Sequence, residues 1–147
     1  MFRPILRLGC GVAISLALAA CTSSAPAAHR PVSLAGTWSG AMTDAVSGPS
    51  IVKVVISQAG TALSGTWTMT YPDPTFNDFQ TEIGNNSGEL SGTIAGGTAE
   101  VTLLPARAEA CQFMVTSTAG DASLRGTWTS NSACLRTDSG NLELSRQ

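Results

Sequence analysis

Leu63-Ser64-Gly65-Thr66-Trp67 is one copy of a short unit that occurs four times in this chain. The others are Leu34-Ala35-Gly36-Thr37-Trp38, Leu90-Ser91-Gly92-Thr93-Ile94 and Leu124-Arg125-Gly126-Thr127-Trp128, and successive glycines are 29, 27 and 34 residues apart. Self-similarity at such intervals points to one structural unit used repeatedly. In each copy Leu, Gly and the Trp or Ile alternate along the chain, with Thr on the other face, which is the period of a strand and not of a helix. A glycine inside a strand weakens it, but it also lets the strand bend or lets a large side chain cross over it.

The segments between the repeats have the same period. Val52, Val54 and Ile56 share a face with Lys53 opposite, and Val101 pairs with Leu103. Cys111, Phe113 and Val115 alternate with Gln112, Met114 and Thr116, and Leu142 and Leu144 alternate with Asn141, Glu143 and Ser145. Turn signals separate them at Ala59-Gly60, Gly96-Gly97, Gly120-Asp121 and Ser139-Gly140. A meander of about eight strands removes its exposed edges most economically by closing. The expected fold is therefore all-β: a single up-and-down antiparallel barrel of about eight strands, the first pairing with the last, with an open β-sandwich as the alternative. Such a barrel has room for packed side chains or for one small ligand.

One connection is long, from Pro72 to Gly88. Pro72 and Pro74 stop the strand after Tyr71, and Thr75 is expected to cap a turn of helix carrying Phe76 and Phe79. Long loops in compact domains are often functional. Phe76 and Phe79 are thus candidates for a lid over a barrel mouth or for a partner-binding loop, with packing on the barrel's outer edge as the plain reading.

Ahead of the barrel, Arg3 and Arg7 precede an apolar run from Leu8 to Leu18, too short to span a bilayer but suited to an export signal. The run ends in Leu18-Ala19-Ala20-Cys21, which resembles the lipobox of bacterial lipoproteins. That resemblance implies cleavage before Cys21, lipid on its sulfur and attachment to a membrane outside the cytoplasm. Thr22 after the cysteine favours the outer membrane in a Gram-negative cell. Each buried methylene of the acyl chains contributes roughly 0.8 kcal/mol, so two or three chains anchor durably. Thr22 to Ser33 is small, polar and proline-bearing, as a tether should be, and holds the sole histidine, His29. The expected division is residues 1–20 as signal peptide, 21–33 as lipidated cysteine and linker, and 34–147 as barrel domain.

From Arg30 onward the chain has six basic and ten acidic residues, with no basic stripe for nucleic acid. Cys10 leaves with the signal and Cys21 takes lipid, so Cys111 and Cys134 remain as a pair in an oxidising compartment. A disulfide is expected. A zinc site is the rival, but two lone cysteines without a nearby His supply too few ligands, and no metal is expected.

Gly36-Thr37-Trp38 near the start of the first strand resembles the G-x-W motif of lipocalins and related calycin barrels. In that family the Trp sits at the closed end of the barrel under a basic residue of the last strand, a part that falls here to Arg146. The chain departs from the family in repeating the motif at Gly65 and Gly126. Over nearly the whole domain it also resembles small exported bacterial proteins of lipocalin-like build. These share an apolar strand ending at Gln58-Ala59-Gly60, a cysteine hairpin from Cys111 to Cys134, and a final segment from Ser139 to Arg146. The resemblance implies a fold and leaves the activity open.

No enzyme and no cofactor are expected. After His29 there is no histidine, which removes Ser/His/Asp and Cys/His arrangements, and no nucleotide or metalloprotease motif occurs. Trp38, Trp67, Trp128, Met69, Tyr71 and Phe113, with Val54 and Ile56, are candidates to line a barrel interior, either as core or around a ligand. Core is favoured, because the three tryptophans recur at equivalent positions and large aromatics dominate core burial. The expected role is non-enzymatic binding in the cell envelope by a membrane-anchored lipoprotein. The partner is a small apolar ligand, or an envelope hydrolase that the protein inhibits through its linker or the loop from Pro72 to Gly88. An interior cavity above roughly 300 Å³ favours the ligand, and a filled interior favours a surface role.

Overall fold

Antiparallel pairing runs without a break from the first strand to the last and back to the first. In a computed structural model, which describes residues 32–44, 48–107, 111–134 and 137–147, the strands are β1 (Gly36–Asp44), β2 (Gly48–Ala59), β3 (Ala62–Thr70), β4 (Ser87–Ala95), β5 (Thr98–Pro105), β6 (Phe113–Ala119), β7 (Ser123–Ser130) and β8 (Ser139–Arg146). One helix, α1 (Pro74–Glu82), lies between β3 and β4. Each strand pairs with its neighbours in sequence, and β1 pairs with both β2 and β8, so the barrel is closed and the open sandwich is excluded. The signal segment, Cys21 and His29 lie outside the described residues.

Alternation decides inside from outside. Along β2, Val52, Val54 and Ile56 are buried while Ile51, Lys53 and Val55 are exposed. On β3 and β7 the threonines of the repeat face solvent and the tryptophans face inward. An apolar interior behind a Ser/Thr-rich exterior is the reverse of the alternation in a membrane-spanning barrel.

The strands are staggered. A single row of partners runs from Trp38 to Val54, Trp67, Gly88 and Pro105. It begins at the third residue of β1 and ends at the last residue of β5, as strand tilt in a closed barrel requires. Tryptophans at equivalent places in the repeat therefore end at different heights. Glycines make the close approaches. A side chain at Gly65 would overlap the Val55 carbonyl oxygen of the neighbouring strand. Trp67 pairs with Gly88, and Trp128 with Gly140, so two of the rings each face a residue without a side chain.

One end of the barrel is plugged. Leu34 is fully buried there, and its carbonyl accepts a hydrogen bond from the Trp38 indole nitrogen at 2.8 Å. The Arg146 guanidinium covers the Trp38 ring and donates to the carbonyls of Ala35 (2.6 Å), Asp121 (3.1 Å) and Ser33. Gln58 accepts from the Leu34 amide (2.7 Å) and donates to the Val32 carbonyl (3.4 Å), so both residues are tied to the end of β2. The expectation for Arg146 drawn from the calycin resemblance holds.

The other end carries α1. Asp73, rather than Thr75, caps the helix: its carboxylate accepts from the Phe76 amide at 3.0 Å, and Pro74 opens the first turn. Proline suits that position because its missing N–H would have had no helical partner. Asn77 Oδ1 accepts from the Tyr71 amide (3.0 Å), tying the helix to the end of β3. Gly84, at φ +68°, turns the chain after α1 beneath the Arg107 side chain. The disulfide is present: Cys111 and Cys134 are bonded with Cα atoms 4.4 Å apart, joining the segment before β6 to the segment after β7.

Candidate functional site

The two halves of the interior differ. Toward the plugged end, Val54, Ile56, Leu90, Val101, Leu124 and Leu144 leave an apolar void of only about 30 Å³, so that half is a filled core. Beneath α1 a cavity of about 240 Å³ remains. The space is neither filled nor as large as the roughly 300 Å³ expected above of a ligand carrier, and it exceeds a cavity of about 150 Å³ that is known to hold benzene.

Its walls come from strand ends that the stagger brings to one mouth. Met42 and Asp44 end β1, Ser50 opens β2, and Met69 and Tyr71 lie at the end of β3. Opposite them are Phe113 at the start of β6, Trp128 and Ser130 at the end of β7, and Cys134 and Asp138 between β7 and β8. The roof is α1, which presents Phe76, Phe79 and Gln80, followed by Asn85. These three helix positions lie three and four residues apart, so one face of α1 covers the mouth.

The aromatic lining is organised edge to face. Phe113 meets Trp128 at a centroid distance of 5.9 Å and Trp67 at 5.7 Å, and Tyr71 meets Phe76 at 4.8 Å. The Trp128 indole nitrogen donates to the Thr43 carbonyl (3.3 Å), fixing the ring at the rim. Burial, aided by the Asp44 carboxylate, pushes the Tyr71 phenol up to about 12, so it stays neutral and keeps its proton. Asn85 Nδ2 donates to Gln80 Oε1 at 2.7 Å, while Asn85 Oδ1 is buried without a partner. The disulfide borders the cavity through Cys134.

The sequence-predicted residues thus divide. Met69, Tyr71, Phe113 and Trp128 line the cavity, and Phe76 and Phe79 roof it. Trp38 belongs to the plug and Trp67 to the core layer beneath Phe113, as do Val54 and Ile56 to the filled half. Sequence reasoning did not find Met42, Asp44, Ser50, Gln80, Asn85, Ser130 or Asp138. For Met42 the signal was present, since it continues the inward alternation of Trp38 and Gly40 along β1. The polar members carried none, because a polar residue at a strand end reads as solvated. Among the described residues no three His, Cys, Asp or Glu side chains cluster as a metal site.

No family profile matches the chain, and no curated protein is significantly similar to it in sequence. Among solved structures, it is similar to EF1p2_mFAP2b bound to DFHBI, with a TM-score of 0.59 and 14% sequence identity over 78% of this chain and 94% of that one. At that identity the likeness establishes the barrel fold.

Proposed function

We propose that this protein is a lipid-anchored, extracytoplasmic binding protein that holds a small apolar ligand in the cavity beneath α1. The observation that carries the binding reading is the asymmetry of the interior: one half filled and plugged by Trp38 and Arg146, the other open over about 240 Å³ with aromatic and methionine walls. Met42, Met69, Phe113 and Trp128 wall this space without filling it, and a concave apolar site with a few polar groups is the usual build of a small-ligand site. The solved barrel of similar fold is itself bound to DFHBI. The anchor rests on the basic residues, the apolar run and Leu18-Ala19-Ala20-Cys21 of the sequence. The role is one of binding, without chemistry on the ligand.

Two experiments test the two halves of this reading. For the anchor, growth with labelled palmitate should label the protein, and Cys21→Ser should abolish the label; unlabelled wild-type protein refutes it. For the ligand, the chain from residue 21 onward with Cys21→Ser keeps every described residue and needs no detergent. Native mass spectrometry of that form should show a co-purified or added small apolar molecule. A barrel that stays empty with every probe, while capturing an envelope protein, contradicts the proposal and favours surface recognition.

A further inference from the structure

The outside of the barrel is not uniform. Along β2 the outward side chains of Ile51, Lys53 and Val55 form one row, with Ile51 64% and Val55 44% exposed. Ile51 lies between Ala41 of β1 and Thr70 of β3, Lys53 between Ser39 and Thr68, and Val55 between Thr37 and Thr66. Lys53 is the sole lysine of the chain. No Asp or Glu stands at an outward position of β1, β2 or β3.

The rest of the wall differs. Glu89, Glu100 and Glu143 are exposed on β4, β5 and β8, and Glu143 is paired with Arg125 of β7. Met114 is exposed on β6, but its neighbours across the strands are Thr102 and Thr129, and no base adjoins it there.

Covalent geometry bears on which face meets a membrane. Val32 and Leu34 are tied to Gln58 at the end of β2. Cys21 is 11 residues before Val32, so it lies no farther from that point than about 40 Å. The β6 side is about 25 Å away across the closed end, from the spacing and tilt of eight strands and the depth of their side chains. A bilayer against β6 uses more than half of the tether's reach, and a bilayer against β2 uses almost none.

Resting on the anchor half of the reading above, we propose that the outward face of β1, β2 and β3 is the surface this protein lays on the membrane that carries its lipid. Ile51 and Val55 enter the headgroup layer, and Lys53 sits among anionic headgroups. One lysine and two aliphatic side chains are too few to bind a membrane unaided. The tether supplies the local concentration, and the face sets the orientation. The barrel axis then runs along the membrane surface, and the mouth beneath α1 opens sideways into the aqueous phase instead of into the bilayer.

The test couples the chain from residue 21, which keeps every described residue, through its Cys21 thiol to a maleimide lipid. The nanodiscs hold equal parts phosphatidylcholine and phosphatidylglycerol with a trace of gadolinium-chelating lipid. Cys111 and Cys134 are bonded to each other, so Cys21 is the thiol that reacts. Chemical coupling separates the orientation from cellular acylation, which the palmitate experiment decides. Amides of Lys53, Val55 and Thr66 should relax at least about fivefold faster than those of Thr116 and Thr127, the bias that one lysine gives at an anionic surface. Ile51→Ser, Lys53→Glu and Val55→Ser together, all at exposed positions, should bring that ratio below about twofold with coupling unchanged. Lys53→Glu alone should also lower it, and serves if the triple variant does not fold. Equal relaxation around the barrel, fastest relaxation on β6, or a ratio that survives these substitutions overturns the inference and leaves the anchor standing. So does a dimer of the uncoupled chain that the triple variant abolishes, which assigns the face to a second copy. Shifted β2 amides on deleting residues 22–31 from the uncoupled chain assign it to that segment and overturn the inference too.

Discussion

The Arg146 guanidinium lies 4.4 Å from the centre of the Trp38 ring, so the last residue of β8 closes the end of the barrel at which β1 begins. Three carbonyls, those of Ser33, Ala35 and Asp121, receive its hydrogen bonds. This single side chain ties the entering chain, the first strand and the β6–β7 turn together. Arg146→Ala should destabilise the barrel by roughly 2–4 kcal/mol, from the lost ring contact and charge-assisted hydrogen bonds. Arg146→Lys should recover less than half of that, because an ammonium cannot reproduce the planar fork. Urea unfolding followed by tryptophan fluorescence measures both.

Gly140 occupies the gap under the bond between the Trp128 indole nitrogen and the Thr43 carbonyl. A Cβ there would overlap the Thr43 oxygen and come within 3.0 Å of the indole nitrogen. Gly140→Ala should cost about 2–3 kcal/mol in the same unfolding measurement, the usual penalty for overpacking. It should also weaken binding in the cavity that Trp128 lines.

Tyr71 is the sole tyrosine, so phenolate absorbance reports it alone. In the folded protein it should titrate near 12, against about 10 in the urea-unfolded chain. The native state then holds its proton more tightly than the unfolded state. Its contribution to stability is full below pH about 10 and is lost as pH rises through about 12, a total of roughly 2–3 kcal/mol. A folded-state midpoint near the unfolded value would show that Tyr71 is solvated and that the cavity wall is not as described.

Cys111 and Cys134 lie 23 positions apart in sequence, and their bond borders the cavity through Cys134. Replacing both with serine should lower stability by about 3 kcal/mol in the chain-entropy view. The loss should appear in the denaturant midpoint, and reductant should move the wild-type protein, but not the variant, by the same amount.

The repeat made the barrel legible. Its period placed Trp38, Trp67, Ile94 and Trp128 inward, where all four are buried. The G-x-W resemblance matched Arg146 to Trp38, and elimination among four cysteines left the observed disulfide. Height along the barrel was not legible. Trp38 closes one end and Trp128 borders the mouth although their local sequences match, because strand stagger is a property of the whole closed sheet. The helix cap moved from Thr75 to Asp73 because the chain admits Pro74 into the first turn instead of stopping there. Asp44, Asn85 and Asp138 are far apart in sequence, and only the closure of the barrel brings them to one mouth.

The three indole N–H groups report separate depths: Trp38 in the plug, Trp67 in the core layer and Trp128 at the mouth. Titrating phenethyl alcohol into isotopically labelled protein and following these signals by NMR tests the central claim most directly. Binding beneath α1 should shift the Trp128 indole and the amides of Phe76, Gln80 and Asn85, and leave the Trp38 indole unmoved. A shift at Trp38 with Trp128 unchanged, or no shift at saturating probe, would contradict the account.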